Sequence, residues 1–149
     1  QVRTQDRKYH PQNPIQCQFS MPWSVASAIV HGKVGIDDFT WQALQDKRVL
    51  DFAQRVTYKL NPELARAMVV EPVVVEIKMK SGEVYTKRVE ASLGSPENPA
   101  SWDIIINKFR DCCAHAVKPI PRENVDRVVR MAETLEDVTD VTEIVHLLA

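Results

Sequence analysis

Two short segments of the sequence place polar side chains at the start of a predicted helix. The first is Gln16–Trp23, which reads QCQFSMPW, and the second is Gly94–Trp102, which reads GSPENPASW. Ser20 stands where an N-cap residue would be, and a helix N-terminus presents backbone N–H groups that can bind a carboxylate. The first segment is therefore a candidate anion-binding site. The two prolines of the second fix its path and favour a structural loop.

The other reactive side chains do not form a recognisable site. The histidines lie on four different predicted elements without a carboxylate or cysteine at ligand spacing, so we predict no metal site and no catalytic role for His10, His31, His115 and His146. His31, at the end of a predicted helix, is placed to interact with the helix dipole. The three cysteines lack a C-x-x-C spacing and are predicted to be buried thiols.

Composition and charge bound the class of protein. The chain has 149 residues, of which 44% are hydrophobic and 26% charged, as expected for a single globular domain. A net charge of -1 disfavours a nucleic-acid partner. No apolar run approaches the roughly 20 residues that span a bilayer, so we predict a soluble, cytoplasmic protein without a membrane partner. Because the chain begins at Gln1 and not at Met, we expect a processed product or a piece of something longer.

The N-terminal part is predicted to begin extended and then become helical. Residues 2–9 are expected to form a polar edge strand, and the prolines at positions 11 and 14 to keep the chain extended as far as Gln18. Ser20 then starts a short buried helix that ends at Gly32. A second helical stretch is predicted from about 37 to 53, with Asp46 able to cap a new turn inside it.

Strand-like alternation follows these helices. Val56, Tyr58 and Leu60 alternate with polar residues, which predicts a strand. Residues 73–79 and 84–89 alternate in the same way on either side of Ser81-Gly82, which predicts a β-hairpin. With a loop of two residues, the cross-strand pairs would be Glu76 with Lys87 and Met79 with Val84.

Three helices are predicted after the hairpin. Ser101 caps the first, Pro119 stops it, Pro121 opens the second, and the third contains residues 141–148. The second helix has an apolar face made of Val125, Val128, Val129, Ala132 and Leu135. The order of elements predicts an α+β fold for a single domain spanning residues 1–149, in which a small antiparallel or mixed sheet of about four strands has helices packed on one face.

Two separated motifs resemble one family. Residues 14–23 (PIQCQFSMPW), followed by a helix of small residues and by VGIDDF at 34–39, resemble the MmgE/PrpD family, whose members commonly read E-A-(K/R/Q)-F-S-L-P-Y there. Residues 94–109 (GSPENPASWDIIINKF) are similar to the family segment G-x-P-x-N-P-(L/M)-S-x-x-x-(L/I)-x-x-K-F. The resemblance extends from about Ile15 to Leu148.

The resemblance implies part of an enzyme. The family includes 2-methylcitrate dehydratase, cis-aconitate decarboxylase and iminodisuccinate epimerase, which handle a proton next to a carboxylate in small di- and tricarboxylic acids without a metal or organic cofactor. Its members have a larger helical domain and a smaller α+β lid domain, and this chain corresponds to the lid alone. Most of the family's catalytic acids and bases lie in the helical domain or in the segment that joins it to the lid, and both would precede Gln1. The isolated chain is therefore expected to be inactive and to have no catalytic residue of its own.

The resemblance also implies partners. They are the N-terminal helical domain, a small polycarboxylate substrate and a second copy in a homodimer. The sequence leaves one alternative open, a stand-alone binding or assembly module of the same fold that docks on a separately encoded helical partner.

Substrate contacts are expected at Ser20, Trp23 and Gln18. Trp23 stands where the family usually has Tyr, so an indole N–H replaces a phenolic hydroxyl. Gln18 stands where Lys or Arg is common. Loss of activity with little change in stability is expected for Ser20→Ala and Trp23→Ala. The alternative is structural, with Trp23 in the core and Ser20 acting only as a cap.

The surface of the 16–23 segment gives a further expectation. We expect it to be partly exposed in this chain and covered in the longer protein, and we expect the chain to self-associate through an apolar patch that contains Trp23 or Met21.

Overall fold

The computed structural model describes residues 7–59 and 72–149. The described chain forms two compact units, one made of residues up to Tyr58 together with Ile106–Ala149, and the other of Lys59–Ile105. The α-helices are α1 (Pro14–Gln18), α2 (Met21–His31), α3 (Lys47–Ala53), α4 (Trp102–Ala114), α5 (Arg122–Glu133) and α6 (Thr142–Leu147), and the strands are β1 (Val73–Lys78) and β2 (Val84–Val89). Short 3-10 helices cover Ile36–Phe39, Ala43–Gln45 and Leu135–Asp137.

The start of the chain is more helical than the sequence predicted. Residues 7–9 are helical, so the predicted strand over 2–9 is wrong there, and its remainder lies outside the described residues. The extended segment predicted up to Gln18 is also wrong, because α1 occupies its second half. Pro14 takes the first helical position, where no N–H is needed, and the Asn13 side chain accepts a hydrogen bond from Gln16 N at 2.9 Å.

The caps of the next helices confirm the local predictions. Ser20 caps α2, and Gly32 ends it with a φ of 75°. The single helical stretch predicted over 37–53 is divided, and Asp46 caps α3 by accepting from Arg48 N at 2.9 Å. The core of this unit forms where α2 packs on α3, around the buried residues Cys17, Trp23, Ala26, Val49 and Ala53.

The described residues contain one sheet of two antiparallel strands, so the mixed α+β composition is confirmed but the prediction of about four strands is wrong. Residues 56–59 form no strand, and Leu60 lies outside the described residues. The reason is local, since the carbonyl of Val56 accepts a hydrogen bond from the Tyr9 hydroxyl at 2.9 Å, while its N–H donates to Ala53 O at 3.0 Å. These bonds occupy the backbone groups that a sheet partner would use.

The hairpin is present, but its register differs from the prediction. Lys87 pairs with Val75, and Val84 pairs with Lys78. The loop contains three residues, because Met79 N donates to Glu83 O at 2.8 Å and Gly82 adopts a φ of 94°. A glycine at positive φ is typical of three-residue hairpin loops. All twelve strand residues are exposed. Helix packing on one sheet face stays a prediction.

The segment between β2 and α4 is a compact loop. The Asn98 side chain donates to Ala91 O at 3.0 Å, and Gly94 N donates to Asn98 O at 2.7 Å. Gly94 has a φ of 94°, which a residue with a side chain rarely adopts. These bonds within the loop support the structural role predicted for it.

The C-terminal helices pack through apolar side chains and ion pairs. Val125, Val128 and Val129 of α5 are buried, as predicted. Ala132 and Leu135, which were predicted to share their face, are exposed, and Leu135 lies beyond the end of α5. Arg127 of α5 binds Glu143 of α6, and Asn124 Nδ2 donates to Leu147 O at 3.0 Å. None of the helices in the described ranges combines the length and apolar character that a membrane crossing requires.

Gly32 provides a test of the α2 terminus. We expect Gly32→Ala to lower the free energy of unfolding by about 1–2 kcal/mol, because alanine is strained at positive φ. No atom lies within 4 Å of the added Cβ, so the loss would be purely conformational. Gly35→Ala is the matched control, since Gly35 has a φ of -133° and ordinary contact with Asp111. Urea denaturation that shows equal losses for both variants would contradict this explanation.

Candidate functional site

The candidate site is the junction between α1 and α2. Only Phe19 and Ser20 separate the two helices, so the end of α1 lies close to the start of α2. Ser20 N donates to Cys17 O at 3.0 Å and Phe19 N to Ile15 O at 3.3 Å, which closes the end of α1. The junction is therefore held by backbone bonds before any side chain contributes.

Ser20 is buried and its hydroxyl is fully used. The side chain is 1% exposed, accepts from Trp23 N at 3.1 Å and donates to the backbone carbonyl of Lys8. The Lys8 ammonium in turn donates to Phe19 O. One hydroxyl thus caps α2 and attaches the helical residues 7–9 to the junction. This geometry supports the alternative in which Ser20 has a structural role.

Trp23 is also part of the core. It is 1% exposed, and its indole Nε1–H donates to the backbone carbonyl of Asp38 at 2.9 Å. The bond fixes the ring against the 3-10 helix Ile36–Phe39. The expected exposed patch therefore does not contain Trp23, because its donor has a partner inside the fold.

The first turn of α2 offers little to an anion. Pro22 has no N–H, Trp23 N is bound to the Ser20 hydroxyl, and Ser24 N donates to Ser20 O at 3.0 Å. Met21 N–H is the first-turn donor for which the described ranges contain no partner. We predicted that several free N–H groups at this helix start would bind a carboxylate. Only one such donor, the N–H of Met21, is available among the described residues.

The outer side of the junction is apolar. Ile15, Phe19 and Met21 are 66%, 72% and 55% exposed, and the side chain of Gln18 is also exposed. We call these four residues the junction surface. No Asp, Glu, Lys or Arg occurs from Tyr9 to Gly32, although such residues make up 26% of the chain. Met21 confirms the expected exposed patch, and this long uncharged stretch is the signal in the sequence that could have located the whole surface.

Two histidines have carboxylate partners that the sequence did not predict. His31 Nδ1 lies 2.6 Å from Asp38 Oδ1, and His115 Nε2 lies 2.8 Å from Asp37 Oδ1. The hydrogen bond to Asp38 raises the pKa of His31 above its ordinary value, and the one to Asp37 does the same for the pKa of His115. Sequence spacing could not reveal these pairs, because the fold brings the partners together.

The remaining candidates have no assembled site around them. His10 and His146 are exposed. Among the described residues, no group of three or more His, Cys, Asp or Glu side chains is placed to hold a metal ion. Cys17 and Cys113 are buried as predicted, whereas Cys112 is exposed. Burial raises the pKa of the Cys17 thiol to about 11, which makes it a poor nucleophile.

Comparison with known proteins decides the family. The model of the MmgE/PrpD C-terminal domain matches residues 1–134. The chain belongs to this family. It is 23% identical over 138 residues to the cis-aconitate decarboxylase of Mus musculus and 20% identical over 138 residues to that of Homo sapiens. Each match covers 93% of the chain and 28% of the relative, so this MmgE/PrpD domain spans less than a third of the length of these curated relatives.

Ser20 should be tested first as a structural residue. Because its hydroxyl is buried between two partners, we expect Ser20→Ala to lower the free energy of unfolding of this MmgE/PrpD domain by about 1–2 kcal/mol. Ser24→Ala, the same substitution one turn further along α2, is the matched control and should change stability by less than about 0.5 kcal/mol. Chemical denaturation with equal midpoints for both variants would show that the Ser20 bonds are not stabilising.

Proposed function

We propose that this chain is the lid-type domain of a cofactor-independent lyase or isomerase that acts on a small di- or tricarboxylic acid, and that it is inactive alone. Two findings support the proposal. The chain belongs to the MmgE/PrpD C-terminal domain family, and its relatives named above are cis-aconitate decarboxylases. The chain matches 28% of their length, so the proposal assigns the chemistry to protein outside this domain.

The observation that carries the proposal is the junction surface. Interface cores are depleted in charged residues, whereas the free surface of a globular protein is rich in them. Three large apolar side chains, Ile15, Phe19 and Met21, are more than half exposed inside a stretch of 24 residues without Asp, Glu, Lys or Arg. We propose that the N-terminal helical domain covers this surface. A homodimer and a cytoplasmic location stay predictions.

The roles proposed for the three site residues follow from their burial. Ser20 and Trp23 have their polar atoms bound inside the fold, so we propose that they hold the start of α2 in place beside the substrate. Gln18 is exposed, and the described ranges contain no partner for its amide. We propose that Gln18 and the N–H of Met21 face the substrate carboxylate from the lid side. A neutral amide would bind that group more weakly than a Lys or Arg.

Activity measurements test whether the catalytic residues lie outside this domain. The 149-residue chain alone should give no turnover of cis-aconitate, 2-methylcitrate or iminodisuccinate, because the proposal places the catalytic acid and base in protein outside this domain. The protein expressed from its complete open reading frame should convert at least one of them. Turnover by the isolated chain, followed by proton NMR of the substrates, would overturn the proposal.

A substitution on the junction surface tests the docking. In the complete protein, Phe19→Asp should lower kcat/KM by about tenfold or more, since an unpaired charge buried in an interface costs several kcal/mol. The isolated domain should keep its stability, because Phe19 is 72% exposed there. Val117→Asp is the matched control, as Val117 is fully exposed outside this surface. Equal activity of the two variants would remove the support for docking through the junction surface.

A further inference from the structure

Asp37 and Asp38 are consecutive residues of one 3-10 helix, and each binds a histidine from a different part of the fold. Asp38 Oδ1 lies 2.6 Å from Nδ1 of His31, the last residue of α2. Asp37 Oδ1 lies 2.8 Å from Nε2 of His115, which directly follows α4. The two rings therefore connect this turn to the ends of two helices within one compact unit.

The second nitrogen of each ring also faces an acceptor. His31 Nε2 lies 3.2 Å from Asp46 Oδ2, and His115 Nδ1 lies 2.8 Å from the backbone carbonyl of Asp111. A neutral imidazole has one N–H and can donate only one of its two bonds. Both bonds of each ring can be donated at the same time only by the imidazolium form.

The charges around the rings favour that form. Asp38 and Asp46 face His31, and the one cation beside it among the described residues is Arg48, whose Nη2 lies 3.4 Å from Nε2. Arg48 also binds Asp46 at 2.8 Å and holds the pKa of that carboxyl well below its usual range, so the acceptor stays charged. Asp37 and the side chain of Asp111, at 3.4 Å, face His115.

The turn matters because Trp23 is bonded to it. Asp38 accepts the indole N–H of Trp23 on its backbone carbonyl at 2.9 Å and the N–H of Gly35 on Oδ2 at 2.8 Å. Its Oδ1 is the atom that His31 binds. Release of His31 therefore loosens the residue that orients Trp23, at the back of the α1–α2 junction.

We propose that the Asp37–Asp38 turn is a pH-sensitive attachment point. The imidazolium ring of His31 attaches it to the end of α2, and that of His115 attaches it to the end of α4. The sign follows from the direction of the shifts. Both rings have raised pKa values, so their contribution is complete below the ordinary histidine pKa of about 6.5 and is lost as the pH rises through the raised values. The turn and Trp23 are held most firmly in mildly acidic solution. This inference goes beyond the proposed function and does not depend on it.

Ring nitrogen NMR of the labelled chain between pH 5 and 9 tests the proposal. At pH 6.5, where an ordinary imidazole is about half protonated, more than half of both rings should carry two N–H groups. The Trp23 indole N–H resonance, assigned with Trp23→Phe, should shift with the midpoint of His31. A midpoint at or below 6.5 for either ring would overturn the proposal.

Two variants distinguish an effect of the His31–Asp38 hydrogen bond from a general effect of pH. In His31→Gln, the shift of the Trp23 indole resonance at the His31 midpoint should disappear, and any pH dependence that remains should follow the His115 midpoint. In the matched control His10→Gln the shift at the His31 midpoint should persist, because the described ranges contain no carboxylate partner for His10. A Trp23 shift that keeps its wild-type midpoint in His31→Gln, or that follows neither histidine, would also overturn the proposal. If His31→Gln does not fold, the wild-type ring titrations decide alone.

Discussion

The fold of the first unit depends on the buried hydroxyl of Ser20. It accepts the N–H of Trp23 in the first turn of α2 and donates to the backbone of the helical residues 7–9, so one atom fixes both the start of a helix and the segment that precedes it. Trp23, one turn further on, extends the same attachment to the turn at Asp38. Because the Ser20 hydroxyl is buried, the loss of a partner leaves a buried polar group with an unmade hydrogen bond.

Because the polar groups of Ser20 and Trp23 bind inside the fold, other side chains form the exposed side of the junction. With Ser20 and Trp23 bound inside, the exposed side of the junction consists of Ile15, Gln18, Phe19 and Met21. Apolar side chains exposed in this way are suited to contact with protein. The lid role proposed above rests on this surface, and that proposal assigns the acid–base chemistry to residues elsewhere.

Features set by neighbouring residues were predictable from the sequence. Ser20, Gly32 and Asp46 act as the predicted caps, because each needs only the residues within one turn. The hairpin was predicted, but its register was wrong, since the pattern of side chains does not distinguish loops of two and three residues. The histidine pairs were missed for a different reason. His115 and Asp37 are 78 residues apart, and no local pattern encodes such a contact.

The junction surface is proposed to be covered by a second domain of the same protein, and this is the central claim. Photo-crosslinking from position 19 tests it most directly, with a benzoylphenylalanine replacing Phe19 in the protein expressed from the complete open reading frame. We predict a crosslink within one chain, to a peptide on the N-terminal side of Gln1. Crosslinks only to a second copy, or no crosslinked peptide at all, would contradict it.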